Sequence, residues 1–358
     1  MHVSLIRGLG LGRQEKSDEG GRVDQGQLWT AVSEVPADLP ASIVTIGNFD
    51  GVHLGHQHVL RRLRSAAADR GLAPIAMTFS PHPRHVMTGT ANPPLITDYG
   101  FRNRLLRESG LCGVIDVEFT REFAQHSPED FVRIFLVELL HARAVVIGKD
   151  SRFGRANAGD VTTMQELGRR LGFEVLIVDE LGHSPACDRI SSSEIRAAIT
   201  AGAVGDAARM LGRYHSVSDV VRHGYKRGRE LGFPTANFSA RPQGLVPADG
   251  VYAGLLTVEV PTSPTSPDAS ITRAPATISV GTNPTFEDGP LSTVVETYVH
   301  GSHELSLYDK LVRVEFVERL RPTLAFDSLD ELVRQMNQDV EVSRRTLDAL
   351  AVPPASAR

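Results

Sequence analysis

The sequence is poor in the features that mark secreted, metal-rich or nucleic-acid-binding proteins. Its 358 residues include only two cysteines, Cys112 and Cys187, without metal-ligand spacing, so neither a disulfide scaffold nor a cysteine-ligated metal is expected. The formal net charge of −5 argues against a nucleic-acid partner, which would normally require a basic surface. No apolar run approaches the length that crosses a bilayer, and residues 1–6 are too short for a signal-peptide core. We therefore expect a cytoplasmic protein with reduced thiols and no membrane partner.

Length and composition predict a globular chain of two domains. A chain of 358 residues is longer than a single hydrophobic core ordinarily organises. A composition of 41% hydrophobic and 23% charged residues is typical of folded globular proteins. Changes of pattern along the chain suggest four segments. They are a flexible N-terminal tail and lead-in over 1–40, a first domain over 41–205, a second domain over 206–350 and a C-terminal tail over 351–358.

Residues 42–60, SIVTIGNFDGVHLGHQHVL, organise the first domain. The β-branched run at 43–46 predicts a buried strand, and a glycine-rich turn then leads to a helix that begins near His53 and His56. A strand, a tight turn and a helix N-terminus gather phosphate in α/β proteins, and two histidines three residues apart can face one oxyanion together. Histidines that merely cap a helix are the plainer alternative. It is less favoured because Asp50 occupies the same turn.

Apolar runs and helical patterns alternate through the rest of the first domain. Strands are predicted at 74–79, 113–119, 144–147 and 173–178, and helices at 59–68, 101–109, 161–171 and after Ser127. This alternation predicts a parallel sheet covered by helices on both faces. Ligands should collect at the carboxyl ends of the strands, where His53, His56 and His82 all fall.

Two later segments are candidates for the same site. Residues 148–154, GKDSRFG, follow a strand directly, and a surface connection explains them as well as a ligand loop does. Residues 189–196, RISSSEIR, place three serines before a helix with Arg196 one turn in. Helix capping needs only one serine, whereas hydroxyls, free N–H groups and an arginine together suit a triphosphate.

The pattern changes beyond Tyr214. Short β-branched runs at 217–222, 251–260, 276–280, 294–299 and 312–317 predict antiparallel strands in a small barrel or sandwich. Ser328 and Glu331 predict a capping box for one closing helix. The apolar face of that helix is predicted to consist of Leu329, Leu332, Val333, Met336 and Val340.

Residues 224–237, GYKRGRELGFPTAN, are the informative stretch of the second domain. A solvated basic hairpin is the commoner meaning of such glycines and cations. The Thr235 hydroxyl and the Asn237 amide oxygen, however, are hard ligands suited to Mg²⁺ and phosphate. Glu296 lies in a later strand, and from that strand alone an ordinary exposed glutamate is the better explanation.

Taken together, these motifs resemble one family. Residues 47–56 have the form G-x-F-D-G-x-H-x-G-H, which resembles the FMN adenylyltransferase half of prokaryotic bifunctional riboflavin kinase/FAD synthetases. Residues 191–196 resemble the S-S-[ST]-x-I-R motif of nucleotidyltransferases, and residues 232–237 the G-x-P-T-A-N signature of riboflavin kinases. The resemblance covers nearly all of 42–340. It implies an α/β fold, with a Rossmann-like domain on a parallel sheet followed by a small antiparallel β-barrel with a C-terminal helix.

The resemblance implies two ATP-dependent reactions that use Mg²⁺, with riboflavin, FMN and ATP as substrates. The second domain would phosphorylate riboflavin to FMN, and the first would adenylylate FMN to FAD and pyrophosphate. For the adenylyltransferase it implies catalytic His53 and His56, ATP-binding Gly47, Phe49, Asp50, Gly55, Ser192, Ser193 and Arg196, and a flavin or nucleotide loop of His82, Asp150 and Phe153. For the kinase it implies Gly228, Gly232, Pro234, Thr235 and Asn237 for ATP, with Thr235 and Asn237 as metal ligands and Glu296 as general base.

The chain departs from the family pattern in both domains. Ser151 stands where the family usually has Phe. After Glu296, residues 300–302 and 307–309 replace the usual Asp and Leu-Tyr-Gly, and residues 287–290 replace an Arg-rich loop. Two alternatives stay open, an FAD synthetase with an impaired kinase half and a catalytically inactive flavin- or nucleotide-binding sensor. The sequence does not determine oligomeric state, so self-association stays open as well.

Overall fold

The computed structural model of the protein describes residues 26–179, 190–222, 233–259, 271–284, 291–301 and 307–350. They form a parallel and an antiparallel sheet, each of six strands, so the fold class predicted from the sequence is confirmed. Residues 1–25 and 351–358 of the predicted tails, residues 261–270 and the glycines Gly228 and Gly232 lie outside the described residues. Among the helices that are described, none is long and apolar enough to cross a membrane.

The first sheet is entirely parallel. Its strands in chain order are β1 Gln27–Trp29, β2 Ser42–Ile46, β3 Ala73–Ser80, β4 Gly113–Glu118, β5 Ala142–Gly148 and β6 Glu174–Val178. They lie side by side in the order β1-β4-β3-β2-β5-β6, and each neighbouring pair runs parallel. The organising strand β2 is therefore central, between β3 and β5.

Helices cover both faces of this sheet. They are α1 Leu54–Arg70, α2 Pro83–Thr88, α3 Tyr99–Glu108, α4 Pro128–Phe131 with a π-helical continuation Val132–Leu139, and α5 Val161–Leu171. Alternate strand residues point to opposite faces, so Val44 packs in the core beneath α4 and α5 while Ile43 packs in the core beneath α1 and α3. Gly71 ends α1 in a left-handed conformation with φ 63°, which glycine adopts readily at a helix C-terminus.

Part of the predicted lead-in joins the sheet of the first domain, while the division of the chain at residue 40 stays a prediction. Strand β1 pairs with β4, aligning Gln27 with Gly113. Trp29 is only 5% exposed, and a Cβ atom on Gly113 would lie 2.3 Å from its ring. Glycine at 113 therefore makes the space that the tryptophan fills.

Two helices connect the sheets, α6 Ser192–Thr200 and α7 Val204–Leu211. They form a small core with Ile96 of the first domain. Val204, at the start of α7, packs instead in the core of the antiparallel sheet. The predicted boundary between residues 205 and 206 thus falls inside a helix that contacts both domains.

The second sheet is an antiparallel barrel. Its strands are β7 His215–Val220, β8 Thr235–Asn237, β9 Gly250–Val258, β10 Ala274–Pro284, β11 Leu291–Val299 and β12 Leu311–Arg321, in the order β7-β12-β9-β10-β11-β8. The backbone N–H of Arg222 donates to the Asn237 carbonyl over 2.8 Å, which joins the region after β7 to β8 and closes the ring. Inside, the rings of Tyr252 and Phe316 meet edge to face at 5.3 Å.

The closing helix, α8 Leu329–Ala349, begins at Ser328 as predicted, because the Ser328 hydroxyl accepts from the Glu331 N–H. Its predicted face is wrong at Leu329, which is 67% exposed. The buried positions are Asp339, Ser343 and Leu347. Asp339 is tolerated there because Arg321 of β12 binds both of its oxygens, at 2.8 and 2.6 Å.

Candidate functional site

The turn after β2 is strained. Phe49 has φ 49° and Val52 has φ 38°, both in the left-handed region, with Gly51 at φ 82° between them. A β-branched residue such as valine rarely adopts this conformation, so the surrounding structure must hold it in place. One internal bond, from the Val52 N–H to the Phe49 carbonyl at 2.9 Å, closes the turn.

His53 and His56 lie together where this turn enters α1. His53 is the N-cap, and its Nδ1 accepts from the His56 backbone N–H at 3.3 Å. The two rings stack with centroids 3.6 Å apart, and Phe49 contacts His56 edge-on at 5.2 Å. A Cβ atom on Gly55 would lie 3.1 Å from the His53 ring, so glycine at this position leaves room for the stacked pair.

Both histidines are neutral at physiological pH. Burial, with the cations Arg213 and Arg196 adding to it, lowers the pKa of His53 to about 4. Burial, His53 and Arg213 hold the pKa of His56 well below its usual value. Because Nδ1 of His53 accepts a hydrogen bond, Nε2 carries the ring proton and can donate it to an anion. Nδ1 of His56 is buried and has no hydrogen-bond partner among the described residues.

Asp50 ties α6 to the turn. Its carboxylate forms a 2.5 Å ion pair with Arg196 and accepts from the backbone N–H groups of Ile96 and Thr97. The Ser192 hydroxyl donates to the Asp50 carbonyl at 3.0 Å. Asp50, Ser192 and Arg196 are therefore brought together with the histidine turn as the sequence predicts. Ser191, not Ser192 or Ser193, is the N-cap of α6, and Ser193 is exposed.

His82 joins the same site from the end of β3. Its Nε2 lies 3.4 Å from the Asn48 amide, and its backbone N–H donates to the Tyr99 hydroxyl at 2.7 Å. Burial, with nearby cations, lowers the pKa of His82 to about 4. The carboxyl ends of β2 and β3 thus present three neutral histidines around the turn at Gly47.

Arg102 is a buried residue of this site that the sequence patterns do not reveal. It is 3% exposed and pairs with Asp116 at 2.9 Å. It also donates to the Phe79 carbonyl at 2.8 Å and the Ser80 hydroxyl at 2.9 Å. These contacts fix the end of β3 just before His82. Arg102 sits inside the α3 helical pattern, where a charged residue ordinarily indicates an exposed face, so no local signal distinguishes it.

The 148–154 loop presents one of its two candidate residues to solvent and buries the other. Asp150 is exposed, whereas Phe153 is 7% exposed and packs in the core with its ring 6.0 Å from Phe131. The Ser151 N–H donates to the Gly148 carbonyl at 3.1 Å, so the departure at this residue keeps a closed turn. Contact of Asp150 or Phe153 with a ligand stays a prediction.

A second cluster forms on the barrel. Strand β11 pairs with β8, with Glu296 opposite Asn237 and Tyr298 opposite Thr235. Because side chains alternate along a strand, Thr235, Asn237 and Glu296 share one face. Their chain neighbours Ala236 and Val295 point into the barrel core. Pro234, which precedes β8, is half-buried. Register alone therefore assembles residues that lie about sixty positions apart in the chain.

The electrostatics of Glu296 are simple. Burial raises its pKa, and no charge or hydrogen bond from the described residues counters that effect. A carboxylate with a raised pKa and no hydrogen-bond donor near it in the described structure suits a proton acceptor. Asn237 donates from its amide nitrogen to the carbonyl of Thr235 at 3.1 Å and to its hydroxyl at 3.3 Å. Among the described residues, none donates to its amide oxygen.

The departures from the family pattern are described at residues 300–301 and 307–309, whereas Ser302 and residues 287–290 lie outside the described residues. Asp309 has φ 62°, the left-handed conformation that glycine adopts freely and that the short side chain of aspartate tolerates. Leu307 is buried in the barrel core, and His300 bonds the Thr277 hydroxyl at 2.9 Å. Among the residues described, no group of three His, Cys, Asp or Glu side chains is placed to hold a metal.

Comparison with known families divides the chain in the same way. The family model described as FAD synthetase matches residues 35–194, and the one described as riboflavin kinase matches residues 211–347. The chain is 33% identical over 319 residues to the bifunctional riboflavin kinase/FMN adenylyltransferase of Listeria monocytogenes, covering 88% of this chain and 93% of that protein. The protein of the same name from Escherichia coli K12 is 32% identical over 322 residues, covering 90% and 97%.

Among solved structures, one described as a macrolide-efflux protein of Streptococcus pneumoniae matches with a TM-score of 0.75 and 28% identity. The match covers 89% of this chain and 99% of that one. The arrangement of both sheets therefore recurs in a protein known from crystallography.

Proposed function

The chain belongs to the family of bifunctional riboflavin kinase/FMN adenylyltransferases, and from that membership we propose how its residues divide the work. The protein is a bifunctional transferase that converts riboflavin to FMN and FMN to FAD, each with ATP. We assign FAD formation to the domain with the parallel sheet and FMN formation to the barrel. The observation that carries this assignment is that the two clusters of phosphate-binding residue types lie on separate sheets.

In FAD formation, a phosphate oxygen of FMN attacks the α-phosphorus of ATP, and the bond to the bridging oxygen breaks to release pyrophosphate. Such a reaction needs alignment and electrostatic stabilisation more than covalent chemistry. His53 and His56 supply neutral N–H donors at the end of β2. Ser192, Ser193 and Arg196, at the start of α6, hold the triphosphate. His82 supports the flavin phosphate from the end of β3, with Gly47, Phe49 and Gly55 shaping the turn.

The neutral state of the histidines favours this role. Two stacked imidazolium ions 3.6 Å apart would repel each other in a buried site, whereas neutral rings pack without that cost. Neutral rings therefore offer N–H donors to the phosphates without a repulsive charge pair between them.

In FMN formation, the ribityl 5′-hydroxyl attacks the γ-phosphorus of ATP, ADP leaves, and the hydroxyl proton passes to a base. Glu296 is that base in our proposal. Its pKa is raised and no hydrogen-bond donor among the described residues contacts its carboxylate, so it can accept the proton. Thr235 and Asn237 lie on the same face and bind the phosphates of ATP. Pro234 fixes the backbone that leads into β8.

The residues present fit Mg²⁺ at the barrel site. The Thr235 hydroxyl and the free amide oxygen of Asn237 are hard oxygen ligands, and Mg²⁺ commonly takes only one or two protein ligands beside phosphate and water. When bound with ATP, the ion would neutralise negative charge on the phosphates.

We further propose that the enzyme works in the cytoplasm on small molecules rather than nucleic acid. The net charge of −5 supports the second point, and the exposed unpaired thiol of Cys112 supports a reducing compartment.

The test is chromatography of flavins after the purified protein is incubated with Mg-ATP and either riboflavin or FMN. FAD should form from both. His56→Ala should abolish FAD formation and keep FMN formation, while Glu296→Gln should abolish FMN formation and keep FAD formation from FMN. His58→Ala on α1 and Glu318→Gln on β12 are the matched controls.

Each other result has a definite meaning. Loss of both activities in a folded His56→Ala protein would contradict two separate sites. FAD from FMN alone in the wild-type protein would mean an impaired kinase half, and flavin binding without turnover would mean a sensor.

A further inference from the structure

A residue from the second family segment reaches into the histidine turn. Arg213 follows α7 and lies within the stretch matched by the riboflavin kinase model. Its Nη2 donates to the Gly51 carbonyl at 2.6 Å, and its Nη1 lies 3.4 Å from the Val52 carbonyl. These two carbonyls immediately precede His53, so Arg213 holds the backbone that leads into the histidine pair.

The turn needs such support because it is strained. Val52 is a buried β-branched residue at φ 38°, a conformation that persists only when its surroundings enforce it. Gln57 gives further support, since its amide donates to the carbonyls of both Val52 and Leu211 at 3.0 Å. Arg213 and Gln57 thus fasten the strained turn to the end of α7.

Residues of both domains surround Arg213. Its guanidinium lies 5.5 Å from the Phe101 ring centroid, and Arg313 of β12 covers the same ring at 3.7 Å. Burial and the nearby Arg313 lower the pKa of Arg213 to about 10. A cation held in so unfavourable a place is ordered by its contacts, and the two turn carbonyls supply the strongest of them.

We propose that Arg213 is a positioning residue for FAD formation. Its guanidinium holds the carbonyls of Gly51 and Val52 and so keeps His53 and His56 in the geometry that contacts the phosphates. The adenylyltransferase site is thereby completed by a residue of the segment matched as riboflavin kinase. This inference rests on the proposed function of the two histidines.

The experiment compares Arg213→Ala, Arg213→Lys and the control Arg209→Ala in the full chain. Arg209 is an exposed arginine of α7, paired with Asp206. For Arg213→Ala we expect kcat for FAD formation to fall roughly 10- to 100-fold, because small displacements of reacting groups cost that much. The KM for FMN should stay within about threefold, since positioning in the transition state lowers kcat rather than ground-state binding. For Arg213→Lys, whose ammonium group keeps the charge but not the two-pronged geometry, kcat for FAD formation should lie between the values for Arg213→Ala and Arg209→Ala. FMN formation should be unchanged in all three variants.

Two readouts separate positioning from mere structural support. A cavity of ≈ 250 Å³ lies against Arg213, Val52 and Gln57, so ethylguanidinium can enter the space left in Arg213→Ala and should restore part of the FAD-forming rate. Protonation of His53 Nδ1 would break its bond to the His56 N–H. The charges of Arg213 and Arg196 disfavour a proton on His53, against which the His56 ring stacks, so removing Arg213 should move the acid limb of kcat/KM to higher pH.

The proposal is overturned if a folded Arg213→Ala protein makes FAD within twofold of Arg209→Ala. It is also overturned if FAD formation falls but neither lysine nor ethylguanidinium restores it and the acid limb does not move. Should Arg213→Ala fail to fold, the rate and KM of Arg213→Lys decide instead, and a rate within twofold of Arg209→Ala overturns the proposal. Because lysine keeps the positive charge, its acid limb is expected to stay in place. If His56→Ala abolishes FAD formation while the Arg213 variants make FAD as fast as Arg209→Ala, only this inference fails. If His56→Ala leaves FAD formation intact, the proposed function of the site fails instead.

Discussion

The ion pair between Asp50 and Arg196 gives a direct prediction about the stability of the first domain. Replacing Asp50 with Asn keeps the shape of the side chain and its backbone acceptor, but leaves the Arg196 guanidinium without its anion. The two side chains are 5% and 14% exposed and lie 2.5 Å apart. Breaking a buried pair from one side costs about 3–5 kcal/mol. Because Arg196 keeps some contact with water and a bond to the Pro94 carbonyl, we expect the lower end, about 3 kcal/mol.

Trp29 makes this loss measurable in the intact protein. It is the single tryptophan of the chain and is buried against β4 in the first sheet, so its fluorescence reports unfolding of that domain. For a domain of this size, about 3 kcal/mol corresponds to a fall in Tm of roughly 6–12 °C. Asp206→Asn, which breaks an exposed pair with Arg209, is the control and should lower Tm by no more than about 2 °C.

A fall in Tm for Asp50→Asn that equals the Asp206→Asn control would refute this reasoning. It would mean that the asparagine amide oxygen accepts from the backbone N–H groups of Ile96 and Thr97 as well as the carboxylate does. It would also mean that water stabilises the charge of Arg196 once its ion-pair partner is gone. A Trp29 transition that is unchanged while the barrel unfolds earlier would refute the assignment of the pair to the first domain.

Three further predictions follow from single contacts. Gly55→Ala should lower the rate of FAD formation roughly 10- to 100-fold by displacing the His53 ring. The control Gly205→Ala in α7, where a Cβ meets nothing within 4 Å, should leave that rate unchanged. Equal rates for the two variants would contradict the steric argument. Burial lowers the pKa of His215 to about 4, so the unfolded chain binds a proton that the folded one does not as pH falls from 6.5 toward 4. This difference lowers the free energy of unfolding by about 2 kcal/mol between pH 7 and 5. In urea unfolding followed by circular dichroism, His215→Gln should therefore lose less stability over that pH range than the wild-type protein. Asp309→Gly should stabilise the barrel by about 0.5–1 kcal/mol by removing a left-handed aspartate, with FMN formation unchanged; a destabilised barrel would mean that the aspartate side chain makes a needed contact.

Much of this architecture is predictable because the signals are local. Periodicity, Gly71 and the caps at Ser127 and Ser328 place most helices and strands within a few residues. The placement of His53 and His82 at the same edge of the sheet follows from the parallel pairing of β2 and β3. These inferences need no knowledge of which distant residues touch.

The missed features are tertiary. Strand β1 has only three residues, and its place depends on Trp29 fitting beside Gly113, more than eighty positions away. The face of α8 is misjudged because Asp339 looks like a solvent residue until Arg321 is found opposite it. Arg102 is missed for the same reason, since a buried arginine is stable only with partners that other segments supply.

The segment between the sheets has contacts that make it part of both domains. Arg196 of α6 pairs with Asp50 beside the histidine turn. Val204, eight residues later, packs in the barrel core. The Arg213 side chain then donates a hydrogen bond to the Gly51 carbonyl of the first domain. A displacement of one core relative to the other would break at least one of these contacts. The proposed positioning role of Arg213 therefore makes the contacts between the barrel segment and the first domain part of the geometry in which the histidines are held.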